Sequence, residues 1–252
     1  MPSPYAEIPV EGWREVTNRL IEAHPLDREL ILETALLCWE RLWATTVGTG
    51  DTGFKLTELS PPATVTGYFL EKLFSKELAK RLPGVWVGGT GSQKDLHCLT
   101  DELMSVEMKS SGQLGYKVYG NRSYGQQIEN ADAAKKDKSG YYITINFSGD
   151  VLTLLRFGWI DGDDWQAQRS ATGQMAGLGE NVYRHKLVPI VGPYMLKGPV
   201  NLVAGVGPGA AKAFAEIGVR TIVDLIEASE GDLPPKLRKF GAIARAEYEG
   251  SY

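Results

Sequence analysis

The chain has 252 residues, 43% of them hydrophobic and 23% charged, an ordinary globular composition that can bury a sizeable core. A formal net charge of −4 excludes a surface that attracts nucleic acid as a whole, so any DNA contact must come from local positive charge. The two cysteines, Cys38 and Cys98, have neither metal-site nor disulfide spacing and are expected as reduced core residues, and with no apolar run of membrane-spanning length and no signal-peptide pattern, the expectation is a cytoplasmic protein with no membrane partner.

Residues 1–12 are Pro-rich and expected to wrap the surface. Asp27 to Thr46 predicts a helix, because Leu30, Ile31, Thr34, Leu37, Cys38 and Leu42 recur at helical spacing. Asp27 is its expected N-cap and Gly48 its stop. Loops follow at Gly48–Gly53 and around Pro61-Pro62. A second helix is expected from about Val65 to Arg81, with Phe69, Leu73 or Leu70, Phe74 and Leu78 facing inward. Glu71 lies beside that apolar face, where an acid either pairs with Lys72 or Lys76 or reaches a metal site. Pro83-Gly84 ends the helix, and Val85–Val87 begins a strand. The Gly88–Ser92 connection lacks the Lys-Ser/Thr of a phosphate-binding loop.

The stretch from Asp95 to Lys109 carries the candidate chemistry. From Met104 to Ser111 the residues alternate: Val106 and Met108 point one way, Ser105, Glu107 and Lys109 the other. Thr100–Leu103 reads as a turn, which places Asp95 on the preceding strand of a hairpin, within reach of Glu107 and Lys109. Two carboxylates and an ammonium converging in this way suit a hard cation and an attacking water that the lysine orients. The competing reading is an edge hairpin with a cross-strand ion pair.

Gly112–Ser139 is polar and loop-like. Residues 109–138 hold Lys109, Lys117, Arg122, Lys135, Lys136 and Lys138 against Glu129, Asp132 and Asp137, with Tyr116, Tyr119 and Tyr124 interleaved. That mixture suits a phosphate backbone. Tyr141–Phe147 and Val151–Trp159 read as strands joined by a turn at Ser148-Gly149-Asp150. Asp161–Asp164 is an acidic turn without the spacing of a calcium loop. Trp165–Met175 reads as a polar helix whose Gln166, Gln168, Arg169, Thr172 and Gln174 have side chains able to read base edges.

Beyond Gly192-Pro193 and Gly198-Pro199 the chain changes character. A short apolar helix is expected to enter the Gly205-Val-Gly207-Pro-Gly209 turn and a small-residue helix to leave it. Gly218 should cap that helix, and Thr221 with Asp224 should open the next as a capping box. The stretch resembles a helix–hairpin–helix DNA-binding element: the glycines let backbone N–H groups approach a phosphate, and Lys212 adds charge one turn in.

Asp95 followed by Glu107-x-Lys109 on a hairpin resembles the PD-(D/E)xK nuclease superfamily, with Lys94 in place of the usual Pro. The wider pattern resembles the ScaI family of type II restriction endonucleases. It consists of Ser3-Pro-Tyr, His24-Pro, Gly120–Tyr124, Lys138–Phe147, Arg156–Asp161, Asp164-Trp and Ala171–Gln174, and covers roughly residues 3–190. The resemblance implies an α/β fold with a mixed sheet flanked by helices over residues 1–196; the helix–hairpin–helix stretch lies outside it and is expected as an added small all-α domain over 197–252. The resemblance also implies Mg2+-dependent cleavage of a specific, palindromic double-stranded DNA sequence by a homodimer, leaving 5′-phosphate and 3′-hydroxyl ends, with a cognate DNA methyltransferase in the same cell. Asp95 and Glu107 would hold the metal, Lys109 would position or activate the water, and Glu71 would be an additional acid. The DNA-binding residues expected from the basic loop and the Gly-rich turn are Lys117, Asn121, Arg122, Tyr124, Lys135, Lys136, Gly205, Gly207, Gly209 and Lys212. The alternative is a structure-specific repair or recombination nuclease, which would share the metal site.

Overall fold

A computed structural model of the chain describes residues 2–121, 138–167, 175–229 and 231–251. It begins with helix α1 (Trp13–Glu22), for which the sequence analysis made no prediction. The periodicity was there to read: Val16, Thr17 and Ile21 are the residues it buries. Helix α2 spans Arg28–Trp43, and the Asp27 carboxylate accepts from Leu30 N at 2.7 Å as the expected N-cap. It stops short of Gly48 because Thr45, Thr46 and Val47 are β-branched and the last two pair as strand β1 (Thr46–Val47) with β2 (Phe54–Lys55). A one-turn helix α3 (Leu56–Leu59) leads into α4 (Ala63–Arg81), which starts behind the Pro61-Pro62 pair.

The central sheet contains β3 (Trp86–Gly88), β4 (Leu96–Cys98), β5 (Val106–Ser111), β7 (Gly140–Ser148), β8 (Val151–Ile160) and β11 (Leu187–Pro189), and β6 (Gly120–Asn121), β9 (Trp165–Ala167) and β10 (Met175–Leu178) form a separate three-stranded sheet. The six-stranded order is β11-β8-β7-β5-β4-β3. The result is a mixed α/β architecture, a central mixed sheet flanked by helices. β7 is buried along almost its whole length, the pattern of a strand covered on both faces.

The chain divides into two compact units. The first comprises residues 1–111, 117–145 and 155–190. Within it, Leu96 stands opposite Val106 in an antiparallel β4–β5 register. β5 is an inner strand, between β7 and β4, so the edge-hairpin reading does not hold. The polar-helix reading of Trp165–Met175 is corrected at both ends: residues 165–167 and 175 are strand, paired antiparallel as β9 and β10. Trp165 is buried against Tyr142 while Gln166 and Ala167 are exposed, and the β9–β10 pairing, not a helical stripe, places them. Gln168, Arg169, Thr172 and Gln174 lie outside the described residues.

The first residues of the chain do more than wrap the surface. Ser3 Oγ donates to Asp161 Oδ2 at 2.8 Å. The buried Lys186 ammonium bonds Asp161 and Asp164 at 2.8 Å and lies 4.2 Å from the Tyr5 ring centroid and 4.3 Å from that of Trp13. The acidic turn therefore grips a lysine, with a capping box of its own between Asp161 and Asp164.

The second unit comprises residues 112–116, 146–154 and 191–252. Its helices α5 (Pro208–Glu216), α6 (Ile222–Glu227) and α7 (Arg238–Glu247) surround Phe214, Ile222, Leu225 and Ala244. The short apolar helix expected before Gly205 is a single 3-10 turn, Val200–Leu202, too close to Pro199 and Gly205 to extend. Gly218 has φ +84° and ends α5, and the Thr221–Asp224 capping box opens α6.

Candidate active site

The β4–β5 register fixes the site. With Leu96 opposite Val106, Asp95 falls opposite Glu107 one step along. Asp95 Oδ2 accepts from Met108 N at 2.8 Å, which ties its side chain onto the backbone between Glu107 and Lys109. The strand entry is held by Gly89, whose N–H bonds the Asp95 carbonyl at 3.0 Å and whose missing Cβ leaves room for the Lys94 carbonyl. Lys94, in the position of the usual Pro, donates to Ser139 O at 2.7 Å. On the far side, His24 is buried against Trp86, Tyr141 and Phe157 and bonds Met104 O at 2.9 Å, anchoring the turn between the two strands.

Glu107 is buried and Lys109 nearly so, with side-chain exposures of 4% and 17%. The Lys109 ammonium bonds Glu107 Oε1 at 2.7 Å and Met108 O at 3.0 Å. A buried Glu on an inner strand, facing a second carboxylate, is costly unless cations compensate it. The strain falls on Asp95: burial, then the Glu107 charge, push its carboxyl up to about 6, against the pull of Lys109 and the Met108 N–H.

Glu71 reaches the same place from α4. Gly67, one turn earlier, lets the helix lie against β5, since a Cβ there would collide with Ser110 Oγ. The Glu71 charge also acts on Asp95. Its carboxylate bonds the Lys72 ammonium at 2.7 Å, the lysine pairing weighed for it from sequence. Among the described residues, no three His, Cys, Asp or Glu side chains form a metal-holding group. The Asp95–Glu107 pair could hold a hard divalent cation. Two carboxylates suffice for a magnesium ion that takes its other oxygens from phosphate and water.

Comparison with known proteins decides the family. Residues 3–191 match the ScaI restriction endonuclease family. The chain belongs to that family. It is a type II restriction endonuclease, a site-specific deoxyribonuclease whose substrate is double-stranded DNA. A curated relative, the type II restriction enzyme ScaI of Streptomyces caespitosus, is 35% identical over 197 residues, covering 75% of this chain and 84% of that protein. No solved structure matches.

Within this ScaI-family chain the expected DNA-contacting residues fall in three places. Lys117 is exposed just before β6, and Asn121 ends β6 opposite Met175. Arg122, Tyr124, Lys135 and Lys136 lie outside the described residues. In the second unit, Gly207 is the N-cap of α5 and Lys212 is exposed. Gly205 has φ +79° and needs to be glycine. Gly207 has an ordinary φ of −81°, and neither it nor Gly209 has any atom within 4 Å of where a Cβ would be. No helix is long and apolar enough to cross a membrane among the described residues.

Lys72 was named from sequence only as a partner for Glu71. A basic residue beside an acid on a helix has no distinguishing signal until the helix is packed against β5.

Proposed function

We propose that the Asp95–Glu107–Lys109 cluster is the cleavage site of this restriction endonuclease, built on a PD-(D/E)xK core. The observation that carries this reading is a buried glutamate and a strained aspartate set opposite each other on inner strands, with one ammonium bonded between neighbouring groups. Asp95 and Glu107 would hold Mg2+, which when bound polarises the phosphoryl oxygens and acidifies a water. Lys109 points its ammonium along the Glu107–Met108 edge, where it holds and orients the attacking water and takes part in its proton transfer. Glu71 adds negative charge beside Asp95. The reaction hydrolyses a phosphodiester to a 5′-phosphate and a 3′-hydroxyl.

Residues 1–196 serve as the endonuclease domain and residues 197–252 as a helix–hairpin–helix domain that binds the DNA backbone. The open space beside Gly207 and Gly209 supports this, because a phosphate can approach the N-terminus of α5. Cutting both strands of a palindrome calls for a homodimer, whose two-fold symmetry matches that of its target. A cognate DNA methyltransferase protects the host sequence.

The test is plasmid digestion with magnesium. Discrete bands with uniform ends are expected, and Lys109→Ala should remove them while circular dichroism stays unchanged. A Lys109→Ala protein that cuts at the parent rate would refute the site.

A further inference from the structure

The charges around the site are unequally open to solvent. Lys109 is 17% exposed and spends its ammonium on Glu107 Oε1 and Met108 O. Lys72, on the next turn of α4 after Gly67, is 45% exposed. Its ammonium bonds Glu71 Oε1 at 2.7 Å and stands 5.4 Å from the centroid of the Tyr68 ring, itself 59% exposed. The Asp95 charge reaches it as well. A flexible lysine, exposed to solvent, is thus restrained by a carboxylate and an aromatic face within reach of the Asp95 charge.

A phosphodiester needs a positive site. Asp95, Glu107 and Glu71 against Lys109 and Lys72 leave the cluster one charge negative, and a divalent cation turns it one charge positive. Without Lys72 the loaded site would be neutral, with nothing in excess to attract the anionic substrate. The neighbouring α4 lysines are differently placed: Lys80 is exposed two turns further along and has no tie to the acids described above.

We propose that Lys72 is a substrate-contacting residue, gripping the reacting phosphodiester of the DNA at the mouth of the Asp95–Glu107–Lys109 cluster, with Glu71 and Tyr68 holding the ammonium in place. Glu71 then acts as a positioning residue through Lys72. This inference rests on the cleavage-site reading above.

The test compares Lys72→Gln, Lys72→Arg and Lys80→Gln in the full-length protein. Two quantities are measured: the single-turnover rate on plasmid with magnesium, and the salt dependence of binding, with calcium in place of magnesium, to a labelled duplex spanning the sequenced cut site. Lys72→Gln should lower the rate by about tenfold or more, the loss of one hydrogen bond to a charged group. It should also flatten the slope of log affinity against log salt by about 0.9, the loss of one phosphate contact. Lys72→Arg should restore the slope and most of the rate, and Lys80→Gln should leave the rate at the parent value. A Lys72→Gln protein with parent rate and slope overturns the inference. So does a slower rate at unchanged slope, which would make Lys72 a tuner of Asp95, or a flatter slope at full rate, which would place the contact away from the reacting bond. Lys109→Ala keeps the two readings separable: if it is inactive, the site stands whatever Lys72 does, and if it cuts normally, the site itself falls.

Discussion

The β4–β5 pair and the 205–209 turn are both proposed to meet phosphate, yet they are built in opposite ways. At β4–β5, Asp95, Glu107 and Lys109 crowd one strand register, and Glu107 is shielded from water. At the turn, Gly-Val-Gly-Pro-Gly carries no charge at all, and the space beside Gly207 and Gly209 is open. The first arrangement stores electrostatic strain that a cation can relieve. The second stores none and offers backbone N–H groups with nothing in the way. A reacting group needs side chains held against their preferences, whereas a grip on any sequence needs only a helix end and room to approach it.

That contrast can be broken at either end. The largest effect is expected from Asp95→Asn, which removes one of two opposed carboxylates. Cleavage should vanish, yet the metal-free protein should melt higher, at about 2–4 °C for each kcal/mol of relieved repulsion in a chain of this size. Calorimetry in EDTA checks it, and a lower melting temperature would mean that the pair carries no strain. Next comes Gly209→Ala. It fills open space in a helix first turn, so the melting temperature should hold while affinity for non-cognate duplex drops by about tenfold or more, the worth of a charge-assisted bond. Fluorescence anisotropy reads the loss, and unchanged cut positions would confirm that the turn does not read sequence.

The smallest effect concerns acid. Burial lowers the His24 pKa below its usual 6.5, so the folded state binds fewer protons there than the unfolded one. The stability that His24 contributes is full above pH 6.5 and is lost as pH falls through the lowered folded value. Asp95 drifts the other way: its pKa is raised to about 6, so its penalty is full above that and fades toward pH 3.8. Urea titrations between pH 7 and 5 should therefore show a steeper loss of stability in Asp95→Asn than in the parent chain. Equal slopes would show that Asp95 carries no such penalty.

The cluster itself was legible because a strand alternates. Glu107 and Lys109 share a face at spacing two, and a turn of a few residues brings Asp95 opposite. What the alternation could not show is that β5 is an inner strand, since its neighbour β7 comes from 29 residues further on, beginning at Gly140. Nor could it show that Glu71 is seated beside Asp95, because that depends on Gly67 letting α4 approach Ser110. Trp165–Met175 misled for a related reason: glutamines fit an exposed helix or an exposed strand equally well, and only the β9–β10 pairing separates the two. The Lys186 cluster was illegible, as its members come from both ends of the domain.

That cluster has a consequence for how the chain is made. The Ser3–Asp161 bond spans 158 residues, and Lys186 emerges from the ribosome later still. Ser3 and Tyr5 are thus secured only once the chain has been made as far as Lys186, after most of the strands of the central sheet. Contacts of such long range slow folding, so a nascent nuclease stays unlatched until nearly all of its catalytic domain has been translated.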